Sequence, residues 1–373
     1  MREAMGDPML GPEQSMDCDP WKTDAADWPA DGSPDEKLIF LLNYAVLAPS
    51  ILNTQPWRFH LADGLLRLEE DTSRRMMVVD RDGRESTISC GAALTNLLVA
   101  ARSFGHDLEI KIAAEAPSTD TLATIRLGDR QRRPSDADRR LREAIRIRRT
   151  VRLGFEPKPV DPAILQEFAS LARQFNVQVA SIVEFERKRT VAQLVGEAEK
   201  IHLKDPEFRE EIRHWLQLRR SEDHESLREF YVRMGSASGH SPQSGPRLGQ
   251  GTLTGADIAR TFATPEAASE RQYALAESSP VLLVLATAGD SRSDWLSAGQ
   301  ALQRVLLAAA VGGLSASYLN PPIEIPQLRD EIAKAFDIDF KPQVLFRLGH
   351  GESISPTPRR PIGEVLTRRA SAP

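Results

Sequence analysis

Apolar residues between Leu38 and Ala48 (LIFLLNYAVLA) recur at helical spacing, which predicts a helix from Asp35 that closes before Pro49. The next segments change period. Trp57-Arg58-Phe59-His60-Leu61 and Leu65-Leu66-Arg67-Leu68-Glu69 alternate, and the Ala62-Asp63-Gly64 turn between them predicts paired strands. Further helices are predicted at 86–104 (ended by Gly105), 136–148, 161–174 and 294–311 (capped by Asp294, ended by Gly312-Gly313), with charged helical sequence over 186–220. Strands are predicted near 107–113, 121–127, 177–185, 280–287 and 342–349. Helices and strands are mixed rather than strictly alternating, so the fold class expected is α+β.

One pattern occurs twice. Ile88–Gly105 (ISCGAALTNLLVAARSFG) and Leu296–Gly313 (LSAGQALQRVLLAAAVGG) align without a gap, and eight of eighteen positions are identical, among them Gly91/Gly299, Leu94/Leu302 and Gly105/Gly313. Each copy is followed by the same echoes. Ile125-Arg126-Leu127-Gly128 returns as Phe346-Arg347-Leu348-Gly349, and Arg132-Arg133-Pro134 as Arg359-Arg360-Pro361. The order helix, strand, basic tail therefore points to two related domains in one chain. The division expected is an irregular N-terminal arm at 1–34, a first half at 35–135 and a second half at 136–373. The arm carries Trp21 and Trp28, suited to wrapping it over the surface. A Gly/Ser/Pro-rich stretch at 234–255 interrupts the second half, as a lid or an unstructured loop would.

Composition narrows the classes. The net charge of −5 and the lack of a basic run interleaved with aromatics argue against nucleic acid as a partner. The two cysteines do not suggest a disulfide, and Cys90 reads as a packed thiol within the first repeated helix. No apolar run approaches the ~20 residues of a membrane span, and the N-terminus lacks a signal-like apolar region, so the chain reads as cytoplasmic with no membrane partner. No HExxH, Cys/His ligand spacing, GxSxG or strand-linked GxGxxG occurs, so neither a metal nor a Rossmann nucleotide site is expected. His202 and His214, set among charged helical residues, read as surface groups, and Glu69-Glu70 as a solvated strand edge.

Four segments carry candidate chemistry: Ala48–Trp57 (APSILNTQPW), Arg148–Arg152 (RRTVR), Pro322-Ile323-Glu324, and Arg359-Arg360-Pro361. Arg148, Arg149, Thr150 and Arg152 stand at a helix-to-loop junction, where guanidinium forks and a hydroxyl suit a small delocalised anion such as a phosphate. A solvated basic face paired with the acids would have the same composition. Asn53 and Gln55 offer amide groups at a helix-to-strand corner, a pattern that ordinary turn chemistry also produces.

Taken in order over residues 35–367, these segments resemble the flavin-dependent nitroreductase superfamily. RRTVR is similar to its phosphate-binding motif, APSILNTQPWRF to its APSxxNxQPW motif, PPIE to its flavin N5 loop, and FRLGHG…PRRP to its C-terminal strand and arginine. The resemblance implies FMN as cofactor. It implies that Arg148, Thr150 and Arg359, with Arg149 beside them, hold the phosphate, and that Arg152 faces the N1/O2 edge of the ring. Glu324, presented by Pro322 and Ile323, would offer its backbone N–H to N5. Pro49, Ser50, Ile51, Asn53 and Gln55 would approach from the other half. Ile325 stands where the family often has glycine.

The motifs are also divided between the halves. The first half has Asn53 and Gln55 but no arginine motif ahead of them; the second has the arginines but QEFASLARQFNVQVASIV in place of NTQPW. Only one complete site can be assembled, which is similar to the single-chain, internally duplicated Acg-type branch and implies a monomeric pseudo-dimer with one flavin. The function implied is an oxidoreductase that moves hydride from NAD(P)H to a nitroaromatic, a quinone or another small-molecule electron acceptor. The 234–255 insertion supports a second reading, an FMN-sequestering protein with little turnover, and an empty paralogue is a third.

Overall fold

A computed structural model of the chain describes residues 18–113, 120–222 and 264–368, with backbone only at 129–131 and 216–222. The 234–255 insertion lies outside the described residues.

Two antiparallel-rich sheets organise the molecule. The first contains β1 (Trp57–Ala62), β2 (Leu65–Glu70), β3 (His106–Ile112) and β4 (Thr121–Gln131) in the order β3-β4-β2-β1. The second contains β5 (Val177–Ile182), β6 (Val281–Thr287), β7 (Ser315–Tyr318) and β8 (Lys341–Gly349) in the order β7-β8-β6-β5. With the repeated helices as reference, each strand of one sheet has a counterpart at the same place in the other. A last strand, β9 (Leu366–Arg368), adds to the first sheet in parallel beside β1. Ile362, Val365 and Leu366 accordingly sit in the first core although they follow the second sheet in sequence.

Sequence chemistry accounts for the elements. Ser33 and Glu36 form a capping box on the Pro34–Ala45 helix, and Ser135 and Asp138 do the same for Asp136–Ile147. The second repeated helix begins at Arg292, two residues before the expected start, because Ser291 is its N-cap and Asp294 completes the box. β6 is buried at every position, and β8 at all but its first, so both read as continuous apolar runs rather than alternation. β2 lies between β1 and β4, which overturns the reading of Glu69-Glu70 as a solvated edge. The Glu70 carboxylate is buried and accepts two bonds from Arg75 at 2.8 Å.

The repeated helices, Arg84–Ser103 and Arg292–Val311, pack against each other at the centre. Their contact is reciprocal: a Cβ on Gly91 would lie 2.2 Å from Leu296 O, and one on Gly299 would lie 2.0 Å from Ile88 O. Ile88 and Leu296 are themselves equivalent positions of the repeat, so the crossing has the self-complementary form of a twofold interface. Thr95 donates to Gln300 O at 3.1 Å, and Gln303 Nε2 to Asn96 Oδ1 at 2.6 Å. Cys90 is a buried thiol within this helix, as its setting predicted. The N-terminal arm is held by its indoles: Trp28 stacks on Phe104 at 4.5 Å, and Trp21 Nε1 donates to Thr357 O at 2.9 Å. No helix among the described residues is long and apolar enough to cross a membrane.

Candidate active site

The Asp136–Ile147 helix ends at Arg148, whose backbone turns out of the helical region. The chain then runs along the edge of the second sheet: Thr150 bridges Ala316 of β7 in parallel, and Val151 N–H donates to Ala316 O at 3.0 Å. Behind it, Arg347 of β8 donates to Leu153 O at 2.8 Å and lies over the Phe155 ring, fixing the turn after Arg152. Burial is the main reason that the Arg347 guanidinium is pushed down to about 10, with the charge of Arg152 adding to it.

This placement brings the arginine segment onto a cavity of about 360 Å³ that both repeated helices help to line. Of the candidate residues, Pro49, Ser50, Ile51, Asn53, Arg148, Arg149, Thr150, Arg152, Glu324 and Arg359 line it. Gln55, Pro322 and Ile323 do not. Ile323 packs into a core cluster with β6 and β8, and the Gln55 side-chain Oε1 accepts the Arg360 backbone N–H at 2.9 Å, pinning the C-terminal segment. Apolar walls come from Ile88 and Ala92 of one repeated helix and Leu302 of the other, with Val195 and Val344 beyond them.

The APSILNTQPW corner is held in an uncommon backbone conformation. Leu52, Asn53 and Gln55 have φ of 41°, 58° and 53°, the left-handed region that side chains other than glycine visit at a cost of order 1 kcal/mol each. The conformation turns the Asn53 amide toward the C-terminal tail, where it donates to Pro358 O and accepts from Arg359 Nη1, both at 3.0 Å. Ser50 Oγ accepts the Gln55 N–H at 3.0 Å and closes the corner.

The cations differ in their engagement. Arg359 donates to Asn53 and the Thr357 and Pro358 carbonyls, and its guanidinium lies over the Trp21 ring. Arg149 donates to Arg146 O and Arg148 O and also lies over Trp21, at 4.7 Å. Its pKa falls to about 10, first through burial and then through the charge of Arg148. Arg148 is 6% exposed, reaches Thr150 Oγ1 only at 3.5 Å, and has no carboxylate partner among the described residues; its Nε has no hydrogen-bond partner there either. Burial also lowers its pKa. The buried Tyr318 hydroxyl beside it has no partner in the same set, and desolvation pushes it up to about 12.

The cavity also holds acids that the motifs did not announce. Glu85 from the first turn of a repeated helix, Glu199 from the Phe185–Lys204 helix, and the Glu324 side chain all line it. His202, expected at the surface, is instead 13% exposed in its side chain, 3.5 Å from Glu324 and stacked on Phe208, and burial lowers its pKa to about 4. A signal was present. Val191, Val195, Glu199 and His202 follow an i, i+4, i+8, i+11 stripe, so both polar residues share the inward face of an otherwise charged helix. Glu85 likewise shares a face with Ile88, Ser89 and Ala92.

Burial raises Glu199 from its ordinary 4.5 to about 7, opposed by Arg271. Between those values the folded state binds more protons than the unfolded one. The stability it contributes is therefore complete below about 4.5 and is lost as pH rises through about 7. Glu199→Gln should relieve up to about 3 kcal/mol of that loss at pH 8 and little at pH 4.5. Urea midpoints at the two pH values check this, and an unaltered pH dependence would refute the assignment.

The Nitroreductase family model matches residues 145–350 of this chain. A Mycobacterium tuberculosis (strain H37Rv) protein named as an NAD(P)H nitroreductase is 31% identical over 343 residues, 89% of this chain and 92% of that one. The chain belongs to the nitroreductase family. A second M. tuberculosis relative, named as the NAD(P)H nitroreductase acg, is 28% identical over 87% of this chain and 94% of its own length. A solved structure of an FMN- and NADPH-dependent nitroreductase from sphigopyxis sp. strain HMH covers 62% of this chain and 99% of its own, at 19% identity and a TM-score of 0.41. Within the nitroreductase family, then, this chain brings ten of its thirteen candidate residues to one cavity walled by both repeated helices.

Proposed function

We propose that the chain is an FMN-dependent oxidoreductase that accepts hydride from NAD(P)H and delivers it to a small organic acceptor such as a nitroaromatic or a quinone. An internal duplication accounts for the matched strand orders, and the divided motifs support one flavin per chain at the seam. The observation that carries the reading is Arg148. A buried guanidinium without a carboxylate is costly, and it becomes favourable when a bound anion completes it.

FMN fits this residue set. Its phosphate would be held by Arg148 and Thr150, with the positive charge of Arg149 and Arg359 at the same cavity. Its ring would lie against the apolar wall of Ile88, Ala92 and Leu302, with the Pro49–Asn53 corner on the other half's side. When bound, the flavin supplies reversible two-electron hydride chemistry. The chain's residues bind it, orient it, and exclude water: Trp21 and the tail at 354–359 border the cavity and are tied together through the Trp21–Thr357 bond. Arg152, exposed on the same lining, adds positive charge that would favour an anionic reduced ring.

Purified protein reconstituted with FMN should bind about one flavin per chain, and anaerobic NADPH or NADH should bleach it. Two flavins per chain would contradict the divided site. Bound flavin that neither reduced nicotinamide can bleach would remove the oxidoreductase reading and leave a flavin-binding protein.

A further inference from the structure

The carboxyl groups of the cavity's acids would repel an anionic cofactor, yet they are closely arranged. Glu85 Oε1 accepts from Arg84 Nη2 at 2.9 Å and from Asn320 Nδ2 at 3.0 Å, and Asn320 is itself fixed by the Leu345 N–H at 3.0 Å. The Glu85 and Glu324 side chains, 6% and 7% exposed, belong to the same cavity lining and lie near enough to bear on each other's titration. Two neighbouring carboxyls buried together are costly if both are charged, so one of them holds a proton. Glu85 already accepts from a cation and an amide, so the proton resides on Glu324. Burial and the mutual repulsion of the pair hold it there.

The groups facing the pair are few. Arg84 is the cation in contact, Asp80 adds negative charge toward Glu85, and Glu199 adds it toward Glu324. His202 Nδ1 is 3.5 Å from Glu324 Oε2 and is neutral at physiological pH. Tyr318 stands near enough to Glu85 to feel its charge.

Resting on the flavin reading above, we propose that Glu324 and Glu85 share one proton and that Glu324 donates it to the oxygen of the acceptor in the cavity. The balance requires such a donor. A quinone that takes up a hydride still needs one proton to become a hydroquinone. A nitro group that takes up a hydride needs one proton to leave as nitroso compound and water. As the hydride arrives, the Glu324 O–H bond breaks, its electron pair stays on the carboxylate, and a new O–H bond forms on the acceptor oxygen. The pair is then doubly charged beside Arg84 and regains its proton from water by way of His202.

The test uses the FMN-loaded full chain, reduced anaerobically and mixed with benzoquinone in a stopped-flow instrument across pH. In the wild type, flavin reoxidation should slow as pH rises, because the donor must be protonated. In Glu324→Gln the rate at neutral pH should fall at least about tenfold and lose its pH dependence, and Glu324→Asp should recover part of both. A readout independent of turnover is the infrared stretch of the protonated Glu324 carboxyl, taken as a difference spectrum at neutral pH: the band should be lost in Glu324→Gln, shifted in Glu85→Gln, which changes its neighbour, and retained in Glu199→Gln. Reoxidation that is unchanged in Glu324→Gln, or a wild-type minus Glu324→Gln difference spectrum without a protonated-carboxyl band, would overturn the proposal. Failure of the flavin reading appears separately, as a wild type that binds no FMN; this removes the proton's recipient, whatever the infrared band shows.

Discussion

Gly299→Ala should destabilise the protein by about 3 kcal/mol or more, although it adds a single methyl group to a helix. In a solvated helix the change would be stabilising by roughly 1 kcal/mol, because alanine is the better helix former. Here the new Cβ would lie 2.0 Å from Ile88 O and 2.8–2.9 Å from the Ile88 carbonyl carbon and Cα. These are backbone atoms of the opposing helix and cannot rotate away. The two helices would have to separate by about 1 Å, loosening packing that both cores share, since Leu296 and Leu307 of this helix belong to the first core and Ile88 to the second. Gly91→Ala should behave in the same way, with its Cβ 2.2 Å from Leu296 O. The double substitution should cost less than the sum of the two, because the separation forced by one makes room for the other. Thermal melts of the three variants measure this. A single variant that melts within a degree of the wild type would show that the crossing is not close, and strict additivity would show that the two contacts are independent.

The same crossing shows how far the sequence could be read. The repeat placed small residues at corresponding positions, and each copy's glycine meets the other copy's backbone, so architecture was legible from identity alone. Sheet order was not. The similarity of the two orders emerges only when β3 and β7, a seven-residue and a four-residue strand with little alternation, are seen to occupy the same edge. The return of β9 to the first sheet was also hidden, because three residues carry no periodicity. Within the cavity, motif spacing led to Arg148 and Thr150, whereas Gln55 and Ile323 turned out to hold the surrounding chain rather than face the cavity. The acids were passed over for a physical reason. Glu199 and His202 lie in a helix whose charged residues dominate any average, and only their phase relative to Val191 and Val195 marks them as inward-facing. Asn320 and Tyr318 gave no signal, since their roles arise from the fold bringing β7 and the following turn against a helix that begins at Arg84.

Arg148→Met should weaken FMN binding by about 1.5–3 kcal/mol, or roughly 10- to 150-fold, while leaving the flavin-free protein as stable as the wild type or more so. The two effects have one cause. In the flavin-free chain the guanidinium is 6% exposed with no carboxylate partner among the described residues, so its burial is uncompensated. Methionine keeps most of the packed volume and removes the stranded charge. When a phosphate enters, the same charge gains an anion in a poorly solvated setting, and methionine cannot supply that contact. Arg148→Lys should fall between, keeping the charge but not the planar fork. Isothermal titration gives the affinities, and melting curves with and without FMN give the linked result: a large ligand-induced rise in the wild type and a much smaller one in Arg148→Met, from an unlowered starting point. Equal affinity in wild type and variant would take Arg148 out of the site. A lowered melting temperature without ligand would instead mean that the arginine serves the fold, in which case the anion it awaits is not the reason for its burial.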